Sequence, residues 1–266
     1  MSFIHPSACV EPGAALGESV EIGPFCHVGA RVTLGEGVKL ISHVVVAGET
    51  EIGARTRIFP FASIGHEPQD LKYRGERTNL KIGADCLIRE SVTINPGTAG
   101  GGGETIVGEG CAFLAGSHVA HDCRVGDGVV LSNNVMLAGH CRVGDHAILG
   151  GGAAAHQFVR IGAHAFVGGL TGLTEDLIPF GVAVGDRARL AGINVVGMKR
   201  RGFTVDDVMG VRRAYKALFA SEGTLAARIE KVALEFSDIA AVRTIVAFLQ
   251  EGGDRGVTVP RGDEGA

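Results

Sequence analysis

An aliphatic side chain recurs at every sixth residue over most of the chain. The beat runs from Ile4 through Val10, Leu16, Ile22, Val28, Leu34, Leu40, Val46, Ile52 and Ile58 to Ile64. It returns at Ile82, Ile88 and Ile94, and again from Val107 through Leu131 and Ile161 to Leu173. Of these 26 positions 24 are Ile, Leu or Val, and the exceptions are Phe113 and Ala155. A glycine often follows directly, as in IGPFCH, VGARVT and IGADCL. A period of six fits neither an amphipathic helix nor a flat strand. It predicts an all-β prism, a parallel β-helix in which each hexad is a short strand plus a corner. Three hexads make one triangular coil, and coils stack through backbone hydrogen bonds about 4.8 Å apart. Nearly nine coils give a column of roughly 40 Å. The repeated aliphatic fills the prism, and glycine is expected to let the backbone turn at each corner.

Two stretches break the beat, 70–81 (DLKYRGERTNLK) and 99–106 (AGGGGETI). Loops thrown out of a rigid prism are candidates for function. Beyond about residue 178 the beat fades and helical spacing takes over. Residues 204–219 read as a helix, with Thr204 and Asp207 at capping-box spacing and Val208, Val211, Tyr215 and Leu218 on one face. Leu225, Ile229, Val232 and Phe236 mark a second helix, and Val242, Ile245, Val246 and Leu249 a third. The last stretch, 252–266, is expected to be loose. The expected organisation is a β-helix over 1–186, with external loops near 70–81 and 99–106, and a small α-helical domain over 187–266.

Composition sharpens this picture. Glycine accounts for 42 of 266 residues, aromatics for 5% and tryptophan is absent, so the core is built from small aliphatics. A net charge of −4 argues against nucleic acid as a partner. No apolar run approaches the roughly 18–20 residues of a membrane helix. The N-terminal residues lack a secretory pattern. These features predict a cytoplasmic protein without stable membrane insertion. Cys26, Cys86, Cys111, Cys123 and Cys141 all fall at the fifth position of a hexad, and no CxxC exists, so they read as buried structural thiols.

Candidate chemistry lies in the later coils, which hold His118, His121, His140, His146, His156 and His164. Residues 18 apart stack. Gly139 therefore lies one coil above His121, Asp122 lies beneath His140, and His146 beneath His164. An outward histidine beside a glycine N–H is a candidate general base next to an oxyanion donor. Neighbouring side chains on a strand point to opposite faces, so Asp122 is expected to point away from His121. A second feature is the basic cluster of Lys199, Arg200, Arg201, Arg212, Arg213 and Lys216, suited to a phosphate or an acidic carrier protein.

The repeat resembles the hexapeptide-repeat family, whose prisms are left-handed. Members that act as zinc carbonic anhydrases use two histidines five residues apart; that spacing is missing here, so no metal is expected. Within the family, the chain is most similar to the UDP-N-acetylglucosamine 3-O-acyltransferases that begin lipid A synthesis. The segments that carry the resemblance are SHVVV (42–46), FASIGHEPQDLKYRGE (61–76), IRESVTI (88–94), SHVAHDC (117–123), HQF (156–158), IGAH (161–164) and KRRGF (199–203). The resemblance implies a homotrimer with sites between subunits. It implies transfer of a 3-hydroxyacyl group from acyl carrier protein to the 3-position of a UDP-sugar. The acyl group is carried on the carrier's phosphopantetheine, and no separate cofactor is implied.

On this resemblance His121 is the general base, Asp122 a candidate to polarise it, and Gly139 the oxyanion donor. Gln69, Asp70, Lys72, His118, His140, His156 and Gln157 fall on substrate-contacting positions. Asn194, Arg200 and Arg201 fall on residues linked to the nucleotide and the acyl donor, and Gly169 where side-chain size limits the acyl chain. Asn95 stands where better-known members carry a histidine near the sugar, Val196 replaces a glutamate and Arg187 a histidine. A 3-hydroxyl acceptor is favoured. Alternatives are a 3-amino UDP-sugar, a hexapeptide acyltransferase using coenzyme A, and a non-catalytic β-helix scaffold.

Overall fold

A computed structural model describes residues 2–260. Its two-to-five-residue strands form three sheets of 11, 9 and 8 strands, the three faces of a left-handed prism. Consecutive coils pair in parallel and in register: Ile4 faces Ile22, Val10 faces Val28 and Leu16 faces Leu34. The repeated aliphatics point into one continuous core; Ile22, Val28, Ile58, Ile94 and Val119 are fully buried there. The Cys26, Cys86, Cys111, Cys123 and Cys141 thiols are free and buried, as their hexad position predicts.

Both insertions leave the phase intact. Ile58 pairs with Ile88 across the first and Ile82 with Val107 across the second. Each loop ends earlier than the lost beat implies. The strand Asn79–Ile82 already pairs with Glu49–Ile52, and Glu104–Val107 pairs with it in turn. Leu80 and Thr105 are fully buried, so they fill the core without standing on the beat.

The glycines that follow the aliphatics have a different job from the expected one. The corner residue with positive φ is usually the third after the aliphatic, and among the described residues 14 of these are not glycine, including Phe25, His43, Asp122, His140 and His164. The glycine directly after the aliphatic permits close approach of the next coil. A Cβ on Gly35 would lie 2.8 Å from Ala54 N, and one on Gly17 would lie 2.7 Å from Glu36 N. Each left-handed non-glycine corner costs about 1–2 kcal/mol. Stacked side chains and the uninterrupted backbone ladder hold these corners in place. Phe25, His43 and Phe61 form one such column, with ring centroids 5.0 and 5.2 Å apart.

Past the last coil the first face is extended by Gly181–Val184 and, antiparallel to it, Arg189–Ile193. Among the described residues four helices follow: α1 (Val195–Arg200), α2 (Val205–Leu218), α3 (Leu225–Glu235) and α4 (Ala240–Glu251). The capping box at Thr204 and Asp207 is present. The hairpin and α1 escape the sequence reading because neither carries a six- or 3.6-residue period long enough to count. Asn194 joins α1 to the prism: its Oδ1 accepts from Gly197 N at 2.9 Å and its Nδ2 donates to His164 O at 2.9 Å.

The C-terminal stretch is not loose over 252–260. Asp176 N donates to Gly256 O at 2.7 Å, Thr258 N to Asp176 O at 2.8 Å and Leu190 N to Val259 O at 3.0 Å. These bonds return the chain to the last coil and bury Thr258 to 1% exposure. Residues 261–266 of that expectation lie outside the described residues.

The glycine assignment predicts an unusual order of damage. Gly35→Ala should destabilise by about 1–3 kcal/mol or more through overpacking. Gly110 has positive φ, yet a Cβ there meets nothing within 4 Å, so Gly110→Ala should lower the melting temperature less. Thermal denaturation showing the reverse order would mean that the glycines serve the turn.

Candidate active site

The strands His118–Val119, Met136–Leu137 and Ala154–Ala155 lie side by side on the second face. The corner after them stacks His121, Gly139 and Gln157 in one column and Asp122, His140 and Phe158 in the next. The last three all have positive φ, between 60° and 67°. That left-handed turn overturns the expectation that neighbouring side chains diverge. It swings Asp122 back beside His121, with His121 Nδ1 2.7 Å from Asp122 Oδ2.

Asp122 is itself clamped. Its side chain is 1% exposed. Oδ1 accepts Thr98 N–H at 2.8 Å and Oδ2 accepts Thr98 Oγ1–H at 2.7 Å. A Cβ on Gly101 would fall on the carboxylate, so the loop can close over it only with glycine there. Asp122 N donates to Thr105 Oγ1 at 2.8 Å. The sequence marks neither Thr98 nor Gly101 individually as a site residue; its signals there are the break in the beat at 99–106 and the glycine run at 100–103. The carboxylate is an acceptor only, so His121 Nδ1 carries the hydrogen and the lone pair sits on Nε2.

His121 leaves the prism core, but at 6% exposure it is more enclosed than an outward site predicts. His140 packs edge-on against it, with centroids 5.0 Å apart. Gly139 fits its flank: a Cβ would lie 2.5 Å from His121 Cε1 and 2.7 Å from Nε2. Ala138 N donates to Ala155 O and His140 N to His121 O, and among the described residues the Gly139 N–H between them has no backbone partner. A proton acceptor thus lies beside a residue whose N–H is uncommitted.

His140 stacks on Phe158 at 4.4 Å. Burial pushes its pKa down, and the Asp122 charge opposes that shift. His118 is pushed down by burial and then by His121, and its Nδ1 lies 2.7 Å from Thr93 Oγ1. Asp70, Lys72, Thr98, Gly101, Asp122 and His140 line one groove of about 710 Å³. Gln69 is exposed in the same loop. Ligand-type atoms of His121, Asp122 and His140 lie within 4.8 Å of one another, close enough for a divalent cation. Three hydrogen bonds already engage the Asp122 oxygens, so the arrangement suits proton transfer.

His156 and Gln157 are exposed on the coil above. Asn95 is 4% exposed; its Nδ2 donates to His66 O and Glu67 O at 3.1 and 3.2 Å, while its Oδ1 has no partner among the described residues. The remaining candidates lie on other corners. Arg200 and Arg201 line a pocket with His146, His164 and Phe203 at the corner after the third face. Asn194 also attaches there. Gly169 follows the first face, where a Cβ would lie 3.3 Å from Gly151 O. Within one chain, then, His121, Arg201 and Gly169 occupy three different corners.

The six-residue beat and the in-register coils define a hexapeptide-repeat β-helix, and residues 104–139 match the family described as "Bacterial transferase hexapeptide (six repeats)". Residues 176–258 match "Udp N-acetylglucosamine O-acyltransferase; Domain 2". An acyl-[acyl-carrier-protein]–UDP-N-acetylglucosamine O-acyltransferase of Methylobacterium radiotolerans is 64% identical over 97% of this chain and 95% of its own. One of Azorhizobium caulinodans is 54% identical over 98% and 96%. The solved UDP-N-acetylglucosamine O-acyltransferase of Moraxella catarrhalis superposes with a TM-score of 0.93 at 37% identity, covering 96% of this chain and 99% of that one. The chain belongs to the acyl-[acyl-carrier-protein]–UDP-N-acetylglucosamine O-acyltransferase family.

His164 supplies a prediction about pH. Burial, then His146 and then Arg201, hold its pKa down at about 4. The unfolded chain binds this proton from about pH 6.5 downward, whereas the folded one refuses it until about 4. Stability present above 6.5 should therefore fall as pH drops towards 4. His164→Phe keeps a ring for the parallel stack on Phe180 and removes the titration. Its melting temperature should fall less steeply over that interval, and an unchanged slope would refute the assignment.

Proposed function

We propose that the protein transfers a 3-hydroxyacyl group from acyl carrier protein to the 3-hydroxyl of UDP-N-acetylglucosamine. The observation that carries this reading is the Asp122–His121 pair packed against Gly139, whose N–H has no backbone partner among the described residues. His121 Nε2 takes the hydroxyl proton as the sugar oxygen attacks the thioester carbonyl. The Gly139 N–H stabilises the oxyanion. The intermediate collapses, the C–S bond breaks, and His121 returns its proton to the phosphopantetheine sulfur. Asp122 holds the ring in the required tautomer and stabilises the imidazolium. No metal takes part.

Asp70, Lys72, Gln69, His118, His140, His156 and Gln157 hold the sugar nucleotide around this corner. Asn194, Arg200 and Arg201 serve nucleotide or carrier, and Gly169 leaves room for a long acyl chain. Because these groups occupy different corners, one substrate pair reaches all of them only between neighbouring subunits, which supports a homotrimer. We take residues 1–186 as the prism and 187–266 as the helical domain. Both substrates are water-borne, and among the described residues no helix is long and apolar enough to cross a membrane. The working location is the cytoplasm.

A second reading, a 3-amino acceptor, is favoured by Asn95. Its Nδ2 is committed to two carbonyls, so its buried Oδ1 offers only an acceptor. A hydroxyl gives its single hydrogen to His121, whereas an amine has another to give. The experiment is mass spectrometry of products from carrier-protein or coenzyme A thioesters offered with UDP-N-acetylglucosamine or its 3-amino analogue. The main reading expects an ester from the carrier-protein donor. A kcat/KM about tenfold higher for the amine, about 1.4 kcal/mol, would replace the hydroxyl reading. Preference for coenzyme A, or no product at all, would overturn the donor or the enzyme assignment.

A further inference from the structure

The chain after α4 forms a strap that passes beside the candidate site. It starts on a buried ion pair: Arg160 Nε donates to Asp176 Oδ2 at 2.7 Å, and the Arg160 guanidinium lies 4.2 Å over the Phe248 ring. Gly253 sits tightly on that pair, since a Cβ would lie 2.6 Å from both Arg160 Nε and Asp176 Oδ2. Asp176 N and O then bond Gly256 O and Thr258 N, and Thr258 Oγ1 donates to Glu175 O at 3.2 Å. The backbone on both sides of Arg255 is thereby fixed. From there its side chain reaches the corner above Gly139. Arg255 Nη2 lies 2.8 Å from His156 Nδ1, and Nε donates to Gln157 O at 2.9 Å.

A guanidinium has donors only and stays charged. An N–H against an N–H at 2.8 Å repels, so His156 Nδ1 must accept, which places the ring hydrogen on Nε2. Among the described residues no other contact enforces this. Nδ1 also lies 3.3 Å from Gln157 O, a contact that would favour the opposite tautomer. Arg255 reverses that preference by occupying both acceptors.

We propose that Arg255 is a positioning residue: it occupies the Gln157 carbonyl and holds His156 as an Nε2–H donor, so that this N–H meets an acceptor oxygen of a bound substrate. This rests on the reading that His156 and Gln157 bind substrate. The oxygen belongs to the UDP-sugar or to the pantetheine arm, and separate KM values for the two distinguish them.

The test uses full-length Arg255→Ala, Arg255→Lys, His156→Gln and the Arg255→Ala/His156→Gln double variant. At about pH 8.5, where histidine is ordinarily neutral, imidazole 15N shifts report the tautomer; His156→Gln assigns the signal. Wild type should show Nδ1 unprotonated and Arg255→Ala should show it protonated. Arg255→Ala should raise KM for one substrate about tenfold with kcat nearly unchanged. In the His156→Gln background the same change should add less than about twofold. Arg255→Lys keeps one donor and should fall between, and it serves alone if the alanine variant does not fold. A protonated Nδ1 in wild type, or full multiplicative losses in the double variant, would overturn the proposal. The tautomer is read without turnover, so failure of the acyl-transfer reading would leave it intact and be seen separately.

Discussion

The distance at which one coil lies on the next governs everything else in this molecule. In-register parallel pairing at about 4.8 Å turns sequence separation into spatial contact. The aliphatic core, the glycines that let backbones approach and the left-handed corners all serve that spacing. Side chains that share a corner position stack as columns, whether Phe25 on His43 or His146 beneath His164. Because the ladder is continuous, the corners are rigid, and chemistry placed on one inherits its precision.

The His121 corner uses this rigidity in three ways. Gly139 lies against the imidazole because the coil above can carry no Cβ there. Asp122 turns back to His121 because the corner demands positive φ. The loop after Asn95 folds down on Asp122 through Thr98 and Gly101, removing the carboxylate from water. A desolvated, fully hydrogen-bonded carboxylate fixes the ring tautomer with little reorganisation. The insertions add walls, and the prism supplies the geometry.

Most of the fold was legible because a six-residue period has one structural solution. The stacking of Gly139 on His121 followed from arithmetic on the same period, and the three long helices from their apolar faces. What escaped lacked a period: the hairpin, α1, Thr98 and the strap through Arg255. The strap reads as a polar, glycine-rich tail, and its order comes from backbone bonds to Asp176 that no local pattern announces. Strand alternation turns Asp122 away from His121, but the corner's positive φ brings the two together, as the candidate role of Asp122 requires. Roles at Asn194, Arg200, Arg201 and Gly169 came from resemblance, since one chain does not bring them to His121.

The most direct test of the account is kcat of Asp122→Asn, alone and combined with His121→Ala. Asparagine at 122 can still accept Thr98 N–H, but its amide NH2 then faces His121 Nδ1 and forces the hydrogen onto Nε2, where the lone pair is needed. The account predicts a loss of about 10²–10⁴ for Asp122→Asn with the fold retained, and almost no further loss when it is added to His121→Ala. An Asp122→Asn enzyme that keeps more than about a tenth of wild-type kcat would contradict it.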